Sequence, residues 1–462
     1  MELFRAAGVE DAIHAVVGEQ HRSGSVARAR NLSDPDVQWF ETVPWTPDFA
    51  RVSPSVFVTC DQDILEPVLG DKARSMGAEI RFGTELVEFT QDEQGVHAVV
   101  RHGSATEEIH ADYLVAADGI RSTVRSTLDV DRTGPGVLEH RLNVLFDTDL
   151  EPTLQGKRLT ACMCSDINGA LVPRSTRPWL MSVPYEGEVS GYDSDVLLDL
   201  IRKGVGHSDF TASIVDVFPW RPTALMASRY RVGRVFLTGD AANVMPPTGG
   251  FGGNNGIQSA YNLAWKLAAV LSGKADDALL DTYESERMPV DRGTVAEALL
   301  RLRSWYKAPG EAQPERAPLP DNTVMFGYRY QGDDLFEDPR EATSRPGSRA
   351  PHIKLARDGV ELSTVDLFGR GFVLLTGPES HQWQQAGQVL TDAGDLAATY
   401  QIGTDVLDVE NAWPDRYGVS AALVRPDGFV TWQTDHDPET DPVETLRAAI
   451  DEVLKPQVPV TA

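Results

Sequence analysis

Two short apolar runs in this chain each end in an aspartate beside a glycine, and that pairing is where its chemistry is to be sought. Tyr113 to Ala117 leads into Asp118-Gly119, and Val235 to Thr238 leads into Gly239-Asp240. Both runs suit strands covered on both faces. A carboxylate at the carboxyl end of such a strand accepts hydrogen bonds from sugar-like hydroxyls and repels phosphate. After Asp240 comes Pro246-Pro247-Thr248-Gly249-Gly250-Phe251-Gly252-Gly253, which forbids regular structure up to Asn254 and Asn255, both candidate helix N-caps. From Ile257 to Leu271 apolar residues recur at helical spacing. The start of that helix offers free N–H groups and a positive dipole end, favouring phosphate or developing negative charge. Polyol-binding and anion-binding features side by side suit a flavin dinucleotide. The spacing Gly250 to Gly256 is not a true GxGxxG, and a glycine-rich strand-to-helix turn alone is as often structural as functional.

The two turns taken together are more specific. Asp118-Gly119-Ile120-Arg121-Ser122-Thr123-Val124-Arg125 resembles the DG motif of the flavin-dependent (class A) aromatic hydroxylases. Gly239-Asp240-Ala241-Ala242 with Pro246 to Gly250 resembles their GD motif, in the same order and about 120 residues downstream. The resemblance runs from Met1 to the region of Trp432. It implies a p-hydroxybenzoate hydroxylase-like α/β fold: a Rossmann-like parallel sheet that binds FAD, an antiparallel substrate sheet and a thioredoxin-like C-terminal domain. It also implies the reaction: NADPH or NADH reduces the flavin, dioxygen adds to give a flavin hydroperoxide, and an aromatic or polyketide phenol is hydroxylated, as in secondary metabolism. By the same resemblance Asp240 bonds the ribityl chain, and Asp118 with Gly119 holds the ribose-pyrophosphate side. Gly239, Gly252, Gly253, Asn254 and Asn255 border the flavin pyrimidine, while Pro246, Pro247, Gly249 and Gly250 line the reacting ring. Gln62 matches a glutamine near the flavin, and Arg125 is expected to serve a phosphate. Arg121 stays open between a phosphate contact and a solvated helix face.

Some features depart from that family. The opening strand and GxGxxG turn that clamp adenosine diphosphate are absent, and Met1 to Arg5 looks like the helix that normally follows them; an upstream start or a clipped chain is the expectation. Asn243 stands where the family commonly has histidine, and Gly253 and Asn255 also differ from its usual residues. The alternative reading is therefore a truncated or non-catalytic relative that binds ligand or partner without turnover. Halogenation is disfavoured because no WxWxIP-type motif occurs.

These residues need a frame, and 462 residues imply two or three domains. The expected FAD-binding domain is discontinuous, 1–132 and 230–306, and encloses a β-rich substrate domain at 133–229. A linker or arm at 307–350 contains Pro309, Pro314, Pro318, Pro320, Pro339 and Pro346, and a thioredoxin-like domain at 351–462 follows. Helices are expected over Met1 to Gln20, Asp61 to Ala73 and a segment closed by Pro289; Glu79 to Gly83 reads as a strand. Trp39, Phe40 and Trp45 read as core aromatics or as an excursion over the substrate side. Phe218, Trp220, Met226 and Arg229 are candidates for the pocket wall. Glu284, Glu286 and Arg287 read as a solvated or salt-bridged face.

The formal charge of −27 argues against nucleic acid and anionic membranes as partners. No run is apolar enough for a membrane span. Cys60, Cys162 and Cys164 form neither a C-x-x-C nor a disulfide framework, so a reducing cytoplasm is expected and no metal site is indicated. HExxH, GxSxG and P-loop motifs are all missing, so the cofactor must carry the chemistry. The partners expected are an aromatic small molecule, dioxygen and, through the C-terminal domain, a second copy as homodimer.

Overall fold

The computed structural model describes residues 1–18, 25–40, 47–174, 178–186, 192–305 and 316–456; Trp45, Pro309 and Pro314 lie outside them. The fold is a mixed α/β assembly of several small sheets around one large one. At its centre two strands run parallel, Leu114–Ala116 beside Val235–Leu237, with Arg231–Val232 antiparallel on the outer side. Phe236 and Leu237 are fully buried and pack with Tyr230, Tyr283 and Leu263. The Tyr283 hydroxyl donates to the Leu237 carbonyl at 2.8 Å, which props the strand from the helix behind it.

The largest sheet has seven strands in the order Ser213–Trp220, Arg141–Asp147, Trp179–Pro184, Gly169–Val172, Leu159–Cys164, Ser25–Ala29, Gln38–Phe40. Its last two strands come from far upstream, so Trp39 belongs to this sheet rather than to a separate excursion. Leu142, Val144 and Phe146 are buried against Leu197, Ile201 and Val205 of the helix Ser194–Val205. Asp193 caps that helix by accepting from the Asp195 and Val196 N–H groups, and Gly206 ends it in the left-handed region. A second small sheet joins Arg132–Val137, Thr223–Ala227 and Asn243–Val244, linking the large sheet to the glycine-rich turn.

Residues 354–454 form the C-terminal domain. Val373–Thr376 and Ala398–Gln401 are parallel and connected by the helix His381–Ala393; Ala421–Val424 and Val430–Thr434 add an antiparallel hairpin. This is the thioredoxin-like arrangement. The strand Val373–Thr376 is buried on both faces. Leu374 packs with Trp383, Leu390 and Ile450, and Val373 and Leu375 pack with Leu355, Trp413 and Tyr417.

Several expected elements shift. The first helix is two, Glu2–Ala6 and Glu10–Val17, separated at Gly8, which takes φ +69°. Glu79 to Gly83 is irregular and Phe82 is 80% exposed; the strands that follow are a three-stranded meander, Thr84–Gln91, Val96–His102 and Ala105–Ala111. Pro289 does not end its helix, which spans Asp281–Trp305. The ring removes one intrahelical bond, but Tyr283, Arg287, Val290 and Asp291 on either side are fully buried, and tertiary packing holds the helix through it.

Candidate active site

Val115 pairs with Phe236 and Ala116 with Leu237, and the Thr238 N–H donates to the Ala116 carbonyl at 3.0 Å. Asp118-Gly119 and Gly239-Asp240 therefore leave adjacent strands at the same end, about one strand spacing of 5 Å apart. The carboxyl end of a parallel sheet is where α/β folds place their ligands.

The two aspartates are used differently. Asp118 Oδ2 accepts from the Val124 N–H at 3.1 Å, while Ser122 Oγ accepts from the Arg125 N–H at 2.9 Å; together they start the short helix Thr123–Thr127. Asp240 has no hydrogen-bond partner among the described residues. It is open to solvent yet ringed by enough protein that desolvation raises its carboxyl above the ordinary range.

Arg125 departs from the expected phosphate contact. It is 3% exposed, Nη1 donates to the Ala241 carbonyl at 2.8 Å, and Nη2 donates to the Ile120 carbonyl at 2.9 Å. Burial lowers its pKa. Two of its five N–H donors thus clasp the two aspartate loops to each other. Arg121 is exposed and has no partner among the described residues.

The glycine-rich helix begins earlier than the asparagines suggest. It spans Phe251–Leu271 with Gly250 as N-cap at φ +65°. The N–H groups of Phe251, Gly252 and Gly253 thus lie in the first turn, without intrahelical acceptors. Asn254 is exposed, its Nδ2 bonded to the Gly250 carbonyl at 2.9 Å. Asn255, expected at the cofactor, instead is 2% exposed and faces the helix Asp281–Trp305, where Arg287 donates to its Oδ1 at 2.7 Å. The earlier start rotates it inward.

The loop before the helix is held by its own bonds. Thr248 Oγ1 donates to the Ala298 carbonyl at 2.5 Å, and the Gly250 N–H reaches the Pro247 carbonyl at 2.9 Å. Pro246 is buried, Gly249 half-buried, and Pro247 and Gly250 exposed. Gln62 opens the helix Gln62–Ser75, is exposed and bonds Glu66; no hydrogen bond joins it to either aspartate loop. Of the wall candidates, Met226 is buried in the small sheet and Arg229 pairs with Glu284 at 3.6 Å.

These residues fit a flavin dinucleotide by a test the chain itself supplies. A Cβ built on Gly119, Gly239, Gly250 or Gly253 would meet no atom within 4 Å, and one on Gly252 would meet only Met245 at 3.8 Å. The glycines border open space, a cradle that side chains would fill. The same two segments carry the unpartnered Asp240 carboxylate and the first-turn N–H groups of a long helix, one suited to hydroxyls and the other to negative charge.

Sequence reading missed Asp291, Tyr230 and the true setting of Arg287. Arg287 and Asp291 are fully buried and form an ion pair at 2.8 Å. The clue was Asn243, at a position where the resembling family commonly has histidine: its Nδ2 donates to Asp291 Oδ2 at 2.7 Å.

Comparison with known proteins agrees with this geometry. A family model described as FAD binding domain matches residues 1–298, and one described as aromatic-ring hydroxylase, C-terminal matches 343–456. A tetracenomycin A2 monooxygenase-dioxygenase of Streptomyces glaucescens is 37% identical, over 98% of this chain and 88% of the relative. A 4-methyl-5-nitrocatechol 5-monooxygenase of a Burkholderia species is 36% identical, over 97% and 89%. The crystal structure of aklavinone-11 hydroxylase in ternary complex with FAD and aklavinone superposes with a TM-score of 0.88 at 34% identity, covering 98% of this chain and 90% of that one. Among the described residues no helix is long and apolar enough to cross a membrane. With two aspartate loops at one sheet end, a dipole-bearing helix beside them and matches that span nearly the whole chain, the protein belongs to the FAD-binding aromatic-ring hydroxylases and is an FAD-dependent aromatic monooxygenase.

Proposed function

We propose that this chain hydroxylates an electron-rich phenolic or polyketide ring, drawing electrons from NADPH or NADH and one oxygen atom from dioxygen. The observation that carries this reading is the Asp240 carboxylate, unpartnered among the described residues, on a loop that packs against the helix Phe251–Leu271, where a Cβ on Gly256 would stand 3.4 Å from Gly239 Cα. The names of the relatives give tetracenomycin A2, 4-methyl-5-nitrocatechol and aklavinone, and one of 38% identity from Streptomyces halstedii is named a putative polyketide hydroxylase, which supports this substrate class.

Bound FAD supplies the redox chemistry and oxygen activation. The chain's own contribution is positional. Asp240 accepts from ribityl hydroxyls, and Asp118, already fixed by the Val124 N–H, offers its other oxygen to the ribose side. The first-turn N–H groups of Gly252 and Gly253 would hold the part of the cofactor that gains negative charge. The turn Pro246 to Gly250, locked by Thr248, would border the reacting ring and limit its contact with water. The seven-stranded sheet, including Ser25–Ala29 and Gln38–Phe40, forms the substrate side. A homodimer is the assembly in this reading, checked by light scattering.

The test is turnover under labelled dioxygen. Phenol-stimulated NADPH or NADH oxidation that yields a product carrying one oxygen from the labelled gas supports the reading. Peroxide as sole product under every phenol tried would overturn the hydroxylase reading, and no consumption of reduced nicotinamide at all would leave the relative that binds without turnover.

A further inference from the structure

Behind the Asp240 loop lies a closed ring of buried side chains. Arg287 Nη2 donates to Asn255 Oδ1 at 2.7 Å and to Asp291 Oδ1 at 2.8 Å. Asn255 Nδ2 donates to Asn243 Oδ1 at 3.1 Å, and Asn243 Nδ2 donates to Asp291 Oδ2 at 2.7 Å, which closes the circuit. Outside it, Tyr230 adds its hydroxyl to Asp291 Oδ2 at 2.9 Å, and Arg287 Nε reaches Ser259 Oγ at 3.0 Å. Arg287 and Asp291 are 0% exposed, Asn255 2% and Asn243 5%. The guanidinium carbon sits 5.2 Å from the centre of the Tyr328 ring, so an aromatic face also meets the buried cation.

The ring members come from three elements. Asn255 is on the first turns of the glycine-rich helix, and Asn243 follows the Asp240 loop by three residues in the small sheet. Arg287 and Asp291 are one turn apart on the helix Asp281–Trp305. Every bond of the ring except Arg287–Asp291 joins two different elements, and the Asn255–Asn243 bond ties the glycine-rich helix directly to the segment that follows the Asp240 loop. A buried ion pair adds little net stability against an apolar replacement, but a directional hydrogen-bonded ring fixes one arrangement of the elements that share it; Arg287 Nη1 has no hydrogen-bond partner among the described residues.

We propose that Arg287, Asn255, Asn243 and Asp291 are positioning residues. They set the first turn of Phe251–Leu271 against the Gly239–Ala242 loop, so that the N–H groups and Asp240 grip the cofactor at a fixed separation. The cofactor consequence rests on the FAD assignment above; the mechanical coupling between the two walls does not. Asn255→Ala and Asn243→Ala each open the ring and leave the Arg287–Asp291 pair intact, so both variants are expected to fold.

Hydrogen exchange on the chain without added cofactor reads the coupling directly. Asn255→Ala is expected to speed exchange across residues 239–244, and Asn243→Ala across 251–255, each away from its own substitution. FAD titration then reads the consequence: about tenfold weaker binding in either variant, a lowered flavin midpoint potential, and a double variant no worse than the worse single one. Exchange that changes only beside each substitution would overturn the proposal, as would additive losses in FAD affinity. If the parent chain takes up no FAD, the exchange result still decides the coupling, and the failure counts against the cofactor assignment alone.

Discussion

The division of labour between the two aspartates is the point on which the site turns. Asp118 spends one oxygen on the Val124 N–H, whereas Asp240 spends none on the described protein. Asp118→Asn is therefore expected to cost stability of about 1 kcal/mol through weakened capping along with cofactor affinity. Denaturant titration and FAD titration on one variant separate these effects. Arg125 is a different case. Removing it leaves the Ala241 and Ile120 carbonyls without their donor in a buried setting. Arg125→Ala is expected to lose roughly 2 to 4 kcal/mol of folding stability, measured by urea unfolding. A loss below about 0.5 kcal/mol would show that the clasp between the loops is not structural.

Among the elements, the helix Phe251–Leu271 has the most to say about function because its first turn is made of glycine. Gly252 is helical, and Ala there would raise helix propensity by up to about 1 kcal/mol. The added methyl would meet no protein atom closer than Met245 at 3.8 Å, yet it would point at the ligand space. Gly252→Ala is expected to hold or raise the melting temperature while weakening FAD binding about tenfold, a change of about 1.4 kcal/mol. Equal FAD affinity in the variant would remove that N–H from the cofactor contact. The same helix shows what could be read without coordinates. Its apolar repeat and the Asp-Gly turns were legible because buried strands and helix faces leave periodic patterns. Its start was not, because Gly252 and Gly253 signal a turn by propensity, while the helix continues through them. Asn255 was misplaced for the same reason. Pro289 misled in the opposite direction, since the contacts that override it come from residues remote in the chain.

On the scale of the whole molecule, the C-terminal domain is fastened to the flavin-binding part by charge as well as by apolar contact. Arg425 pairs with Glu286 and Asp427 while fully surrounded, and Glu286 also holds Lys266 at 2.7 Å. Burial brings the Lys266 ammonium down to about 8, with Glu286 opposing the shift, and Arg425 and Lys266 hold the Glu286 carboxyl well below the usual range despite its burial. Arg425→Met takes the cation from Asp427 and leaves Glu286 with Lys266 alone, and is expected to lose about 3 kcal/mol or more, with unfolding that separates into two transitions by calorimetry. A single unshifted transition would mean that apolar packing alone joins the domains. Sequence reading placed Glu286 on a salt-bridged or solvated face; the partner Arg425 lies 139 residues away, beyond any local pattern.

His352 sets a pH dependence for the same domain. Burial lowers its pKa from 6.5 to about 4, and Nδ1 meets Ser363 Oγ at 2.7 Å. The unfolded chain takes up that proton below pH 6.5 and the folded chain resists until about 4, so stability falls as pH drops through this window. His352→Gln should therefore gain on the parent by about 2 kcal/mol between pH 7 and pH 5, measured by urea unfolding at both values. No narrowing of the difference would place the histidine in contact with solvent.

The account stands or falls with the grip of Asp240 on the cofactor, and flavin fluorescence quenching on titration of FAD into the parent and Asp240→Ala measures it directly. Saturable quenching by the parent, with at least tenfold weaker binding by a variant of unchanged circular dichroism and melting temperature, is the predicted result. Equal affinity in the two proteins would contradict it.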